Sequence, residues 1–170
     1  MTRTLILIRH AKSDWDDPRL TDHQRALNPR GRRAAPRIGA WLAREGLTPE
    51  EALVSDATRT QETWHLIADR LPDAPAPRLI PALYHASPDT MLRHLRDASA
   101  SVVAMVAHNP GTAALARMLA KTPPAHPDFG RYPTAATTVL GFDAEDWRDI
   151  APGTGQVRAF VTPRDLPDPA

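Results

Sequence analysis

At 170 residues the chain is long enough for one domain, residues 1–170, with a sizeable core, and no internal repeat argues for a second. Its 21 basic and 20 acidic residues nearly cancel, so there is no electrostatic case for a nucleic-acid partner; without cysteine there is neither a disulfide scaffold nor a thiolate metal site. No signal-peptide pattern opens the chain and no apolar run approaches the roughly 20 residues of a membrane span, which predicts a cytoplasmic protein with no membrane partner.

The first element is Leu5-Ile6-Leu7-Ile8, an unbroken apolar run that reads as a strand covered on both faces. It stops abruptly at Arg9-His10, and Ala11-Lys12-Ser13 and the acidic cluster Asp14-Trp15-Asp16-Asp17 follow. Gly31 to about Glu45 reads as a helix, with Ile38, Trp41 and Leu42 on its core face, Arg32, Arg33, Arg37 and Arg44 on its solvated face, and Gly46 at its end. Glu51-Ala52-Leu53-Val54 is a second strand. A helix from Thr58 to about Leu71 follows, capped by Ser55 or Asp56, and it turns Trp64, Ile67, Ala68 and Leu71 inward. Beyond the proline-rich stretch Pro72 to Pro77 come an edge strand at Arg78–Pro81, a helix from Ser87 to Asp97, a strand at Ser101–Ala107 and a helix from Thr112 to Lys121. Thr122 to Thr134 is a loop fit to rim a pocket. Thr137–Phe142 and Val157–Thr162 read as a late hairpin at the sheet edge, and Pro163 to Ala170 as a frayed tail. Strands alternating with helices define an α/β domain with a single sheet.

Three of these junctions share one grammar: a buried strand, a cation or imidazole at or just past its end, then a helix. Arg9-His10 alone reads equally well as a charged strand end that meets solvent. Arg59, however, falls in the first turn of its helix, where a cation opposes the helix dipole. An anion held between Arg59 and the helix-start amides would supply the missing reason. His108-Asn109-Pro110-Gly111 ends the Ser101–Ala107 run in the same manner. Together they describe a phosphate-sized site.

These residues resemble the histidine phosphatase superfamily, in its compact SixA-like branch. Arg9-His10-Ala11 is similar to the family's Arg-His-Gly signature, with alanine for glycine. Ser55 through Thr63 resembles its Ser-x-x-x-Arg-x-x-x-Thr segment, Val106 through Gly111 the segment with the second histidine, Arg25 through Gly31 the loop that opens the first long helix, and Tyr132 through Ala136 the turn before a late strand. The match runs in order from Leu5 to Phe142. It implies a phosphoglycerate mutase-like three-layer sandwich: a mostly parallel central sheet with helices on both faces.

The chemistry follows from the residue types. A phosphomonoester repels nucleophiles, so a catalyst must cancel charge on the nonbridging oxygens while the attacking atom lines up. Arg9 and Arg59 can each donate two hydrogen bonds to phosphate. His10 is the nucleophile candidate, provided its other ring nitrogen is held by an acceptor such as a backbone carbonyl. His108, if cationic, adds a further clamp. These four groups do the work of a metal, so no cofactor is expected. Ser13 and Asn109 could bind a phosphate oxygen, but a local turn or helix-start role serves each equally well. The general acid is left open among Asp14, Asp16, Asp17, His85 and Asp89; Asp89 already has a place in the first turn of a helix capped by Ser87.

The resulting expectation is a metal-independent phosphohydrolase working through a phosphohistidine intermediate. Its substrate would be a phosphorylated small molecule or a phosphohistidine protein. A mutase-type phosphotransferase, a non-catalytic phosphate-binding domain and a metal-dependent hydrolase using the acidic cluster are the alternatives.

Overall fold

Alternation along the first strand sorts the interior into two cores. In the computed structural model, which describes residues 2–169, strand β1 (Thr2–Arg9) sends Leu5 and Leu7 to one side and Ile6 and Ile8 to the other. The period of two does this automatically, and all four side chains are fully buried. Each contributes about 1.5–3 kcal/mol. The Leu side meets α3 (Pro88–Arg96) and α4 (Gly111–Leu119) through Met91, Leu95 and Leu115. The Ile side meets α1 (Pro29–Arg44) and α2 (Thr58–Ala68) through Ile38, Leu42, Trp64 and Ile67.

The sheet has six strands in the order β3 (Pro77–Ile80), β2 (Glu51–Ser55), β4 (Val102–Ala107), β1, β5 (Thr137–Asp143), β6 (Gln156–Val161). The first four run parallel; β5 and β6 are antiparallel to their neighbours. This is the α/β three-layer arrangement expected from the sequence. Because β4 inserts between β2 and β1, the order in which the strands are laid down reverses there, and sheets of this kind open their ligand crevice at such a switch. Arg9 is in register with Ala107. The residues that follow each, His10 and His108, therefore emerge side by side.

Several local expectations are corrected. Helix α1 begins at Pro29, because Asn28 caps it by accepting from the Gly31 N–H at 2.8 Å and proline suits the first position. Neither Ser55 nor Asp56 caps α2; Ala57 occupies the cap position and its side chain bonds nothing. Ser55 bonds His108 instead, and Asp56 bonds His23. Helix α2 ends at Ala68, so Leu71 reaches the core from the turn beyond it. Ser87 does cap α3, accepting from the Thr90 N–H. The segment from Pro163 is tied to the body: His126 bonds Asp165, and Arg37 pairs with Asp168.

Candidate active site

Two hydroxyls lock the arginine-bearing helix onto the ends of β1 and β2. Thr63 Oγ1 accepts from the Ala11 N–H at 2.9 Å and donates to the Arg59 carbonyl at 2.7 Å. Thr60 Oγ1 donates to the Ser55 and Ala57 carbonyls. Opposite them, α1 comes so near that a Cβ on Gly31 would lie 2.1 Å from the Lys12 carbonyl oxygen, so only glycine fits. The loop after His10 is thus pinned on two sides. A cleft of about 310 Å³ forms here, lined by Arg9, His10, Arg59 and His108, with Ser13, Asn109, Lys12 and Thr134 around them. Asp22, Arg25, Trp15 and His85 complete its wall.

His10 lies 2.7 Å through Nδ1 from the Ala11 carbonyl. A carbonyl only accepts, so Nδ1 carries the proton and Nε2 is left as a bare lone pair. Burial, opposed by the Ala11 bond and aided by the charges of Arg59, Arg9 and Arg25, lowers its pKa to about 3. The ring is neutral at pH 7, the form that can attack phosphorus. His108 sits 5.3 Å away, centroid to centroid. Its Nε2 is 2.8 Å from Ser55 Oγ, which also accepts from the Ala57 N–H at 3.4 Å. With the Ser55 hydroxyl donating to Nε2, a neutral His108 carries its proton on Nδ1, a buried atom without a partner among the described residues. Burial first, then the charges of His10 and Arg59, depress the His108 pKa strongly. The sequence offers His108 as a clamp if cationic; burial and the neighbouring charges favour the neutral ring.

Both guanidiniums keep donors in reserve. Arg9 donates from Nη1 to the Tyr132 carbonyl, and its buried Nε has no partner among the described residues. Arg59 is 3% exposed; it donates to the Asp22 carbonyl at 2.7 Å and to Asp22 Oδ2 at 3.0 Å, and its Nε is likewise buried and unpartnered.

Asp22 was missing from the residues picked out by sequence. Its carboxylate accepts from Arg25, Arg59, the Tyr84 hydroxyl and His85 Nε2. Desolvation would raise its pKa, but the bonds from Tyr84, His85 and Arg59 pull it well below the carboxylate range. It comes from a short 3-10 turn, Asp22–Gln24, closed by a reciprocal Thr21–Gln24 capping box. That Thr-x-x-Gln pattern was legible in the sequence.

The acid candidates separate cleanly. Asp14 accepts from the Asp16 N–H, Asp17 pairs with Arg19, and neither they nor Asp16 or Asp89 line the cleft. His85 does. Ser13 lines it too, but its hydroxyl accepts from Arg25 Nη1 at 2.8 Å, which makes Arg25 a neighbour that sequence reasoning passed over. Asn109 is committed to structure: Nδ2 donates to the Arg131 and Tyr132 carbonyls at 3.0 Å each, and Oδ1 accepts from the Ala113 N–H. The loop after α4 enters through backbone carbonyls, since the Tyr132 ring is fully buried and its hydroxyl donates to the Leu7 carbonyl.

Neutral buried histidines make the fold acid-sensitive. In the unfolded chain His10 titrates near 6.5 and in the folded chain near 3, and His108 is displaced the same way. Between those values the unfolded state binds more protons, so stability is complete above about pH 6.5 and declines as pH falls toward 3. Urea midpoints at pH 7 and pH 5 should show the decline. A His10→Gln/His108→Gln double variant should show a smaller one.

A family model for the histidine phosphatase superfamily (branch 1) matches residues 5–83, the stretch with Arg9, His10 and Arg59. An uncharacterized Mycobacterium tuberculosis protein, Rv1276c, is 35% identical over 164 residues, which span 92% of this chain and 100% of the relative. Among solved structures, the provisionally named phosphohistidine phosphatase SixA of Nakamurella multipartitia superposes with a TM-score of 0.80 at 28% identity, covering 96% of this chain and 97% of that one. Its provisional counterpart from Agrobacterium tumefaciens gives 0.74 at 25% identity, covering 94% and 98%. The protein histidine phosphatase SixA complexed with tungstate shares the fold, with a TM-score of 0.77 at 20% identity over 95% and 98% of the two chains. The chain belongs to the histidine phosphatase superfamily, in its SixA-like branch, and is a phosphatase.

Proposed function

We propose that the protein removes phosphoryl groups by way of a phosphorylated His10, taking them from a protein phosphohistidine or a phosphomonoester. The observation that carries this reading is the bare Nε2 of a neutral His10, fixed by the Ala11 carbonyl, beside two guanidiniums with unspent N–H groups. Arg9 and Arg59 hold the nonbridging oxygens, and the His108 Nδ1–H adds a hydrogen bond as charge grows on them in the transition state. The phosphoryl group passes to Nε2, and water then releases it. The resemblance to proteins named as phosphohistidine phosphatases favours phosphohistidine, whose imidazole leaves more readily than an alkoxide.

The test is rapid quenching during turnover of a labelled aryl phosphate. A labelled protein is expected, acid-labile and alkali-stable, with the label in the peptide containing Leu7 to Lys12. Turnover should persist in excess chelator, because the positive charge in this scheme comes from guanidiniums. Saturable phosphate binding with neither label nor turnover over a broad substrate panel would make the domain a binding module.

A further inference from the structure

We propose that His85 is the proton donor to the leaving group and that Asp22 is its positioning residue. The inference rests on the phosphohistidine pathway above and deepens it. His85 lines the same cleft as His10 and Arg59, and its ring lies nearly parallel to that of His108, 14° between planes and 5.6 Å between centroids. Its Nε2 is 3.1 Å from Asp22 Oδ2. Asp22 is ionised, so it accepts there and fixes which way the ring faces. The other ring nitrogen, Nδ1, makes no hydrogen bond among the described residues and is open to a ligand. No other uncommitted acid is at hand. Asp22 itself is held as a carboxylate by Tyr84, His85 and Arg59, and Asp14, Asp16 and Asp17 do not line the cleft.

The backbone supports a dedicated placement. His85 has φ of 53°, in the left-handed region, which histidine enters more readily than most side chains. Next to it, the Ala86 carbonyl oxygen would lie 2.2 Å from a Cβ on Gly111, so the start of α4 buttresses this loop. Tyr84 donates its hydroxyl to the same Asp22 oxygen and stacks edge-on against His85, 4.1 Å between centroids. Asp22 thereby couples the guanidinium that binds phosphate to the imidazole that serves the leaving group.

The steps balance. In the first, the bond from phosphorus to the ester oxygen breaks as that from His10 Nε2 to phosphorus forms, and protonated His85 gives Nδ1–H to the departing oxygen. In the second, neutral His85 takes a proton from the attacking water, a new phosphorus–oxygen bond forms, and the bond to His10 breaks. His85 ends protonated, as it began.

A general acid matters in proportion to the basicity of the leaving group, and this sets the experiment. His85→Asn suits the left-handed backbone and holds no transferable proton. Expected are a loss on the order of 10²–10⁴ in kcat/KM for an alkyl phosphate and a change below about threefold for p-nitrophenyl phosphate, whose leaving group departs unaided. Asp22→Asn should show the same selectivity between the two esters, added to a loss on both from the disturbed Arg59. His85→Ala provides the repeat if the asparagine variant loses its thermal transition. Equal losses on both esters, or no loss on either, would overturn the assignment. Labelling of His10 by p-nitrophenyl phosphate in His85→Asn keeps the two readings apart: its absence in the unaltered protein sinks the pathway, whereas its presence alongside equal losses sinks only the role of His85.

Discussion

His10→Ala should lose turnover by a factor on the order of 10⁴–10⁶ while keeping its affinity for inorganic phosphate. The asymmetry follows from what the side chain does. In the proposed pathway Nε2 supplies the electron pair that captures phosphorus; with it gone, water must attack directly while His85 is committed as the acid of that step. The donors that hold phosphate in that pathway are elsewhere, on Arg9, Arg59 and His108. Competitive inhibition by phosphate should therefore survive within a few-fold in variants with trace activity, and equilibrium dialysis measures it where activity is nil. The ring is buried, with 7% of its surface exposed, so the thermal transition is the control. Near-normal turnover in a folded His10→Ala protein would show that phosphorus is attacked by something else.

The parts of the site legible in the sequence are those whose position depends on local pattern. Leu5 to Ile8 and Val103 to Val106 are continuous apolar runs because both faces of β1 and β4 are covered, and their abrupt ends mark where Arg9, His10 and His108 must emerge. Arg59 stood out by contradicting its own helix dipole. Ser55 was misread for a related reason: a serine ahead of a helix is usually its cap, and nothing local reveals that a histidine on a neighbouring strand will claim the hydroxyl. Asp22 lay beyond reach in the same sense. It is one of several aspartates in an irregular stretch, and only the packing of its turn against α2 and the Tyr84-His85 loop singles it out. The charge state of His108 was also hidden, since desolvation depends on what covers the ring and not on the neighbours in the chain.

Arg59→Ala should lower kcat/KM by about 10²–10³, the usual cost of deleting one preorganised donor from a transition-state clamp. The Arg59 guanidinium is itself buried, 3% exposed, and a donor so desolvated weighs more than one in water. The loss should appear mainly in kcat if these bonds tighten as the phosphoryl group flattens, and mainly in KM if they hold substrate and transition state alike. Lysine should not restore the function. An ammonium carries the charge, yet it cannot bond the Asp22 carbonyl, the Asp22 carboxylate and a phosphate oxygen along the fixed directions of the guanidinium fork. Arg59→Lys is therefore expected to stay within about tenfold of the alanine variant, and added guanidinium ion should rescue Arg59→Ala but not Arg59→Lys, whose side chain fills the space. Full activity in Arg59→Lys would mean that the site needs only a positive charge at this position, and the geometric account of Asp22 and Arg59 would have to be given up.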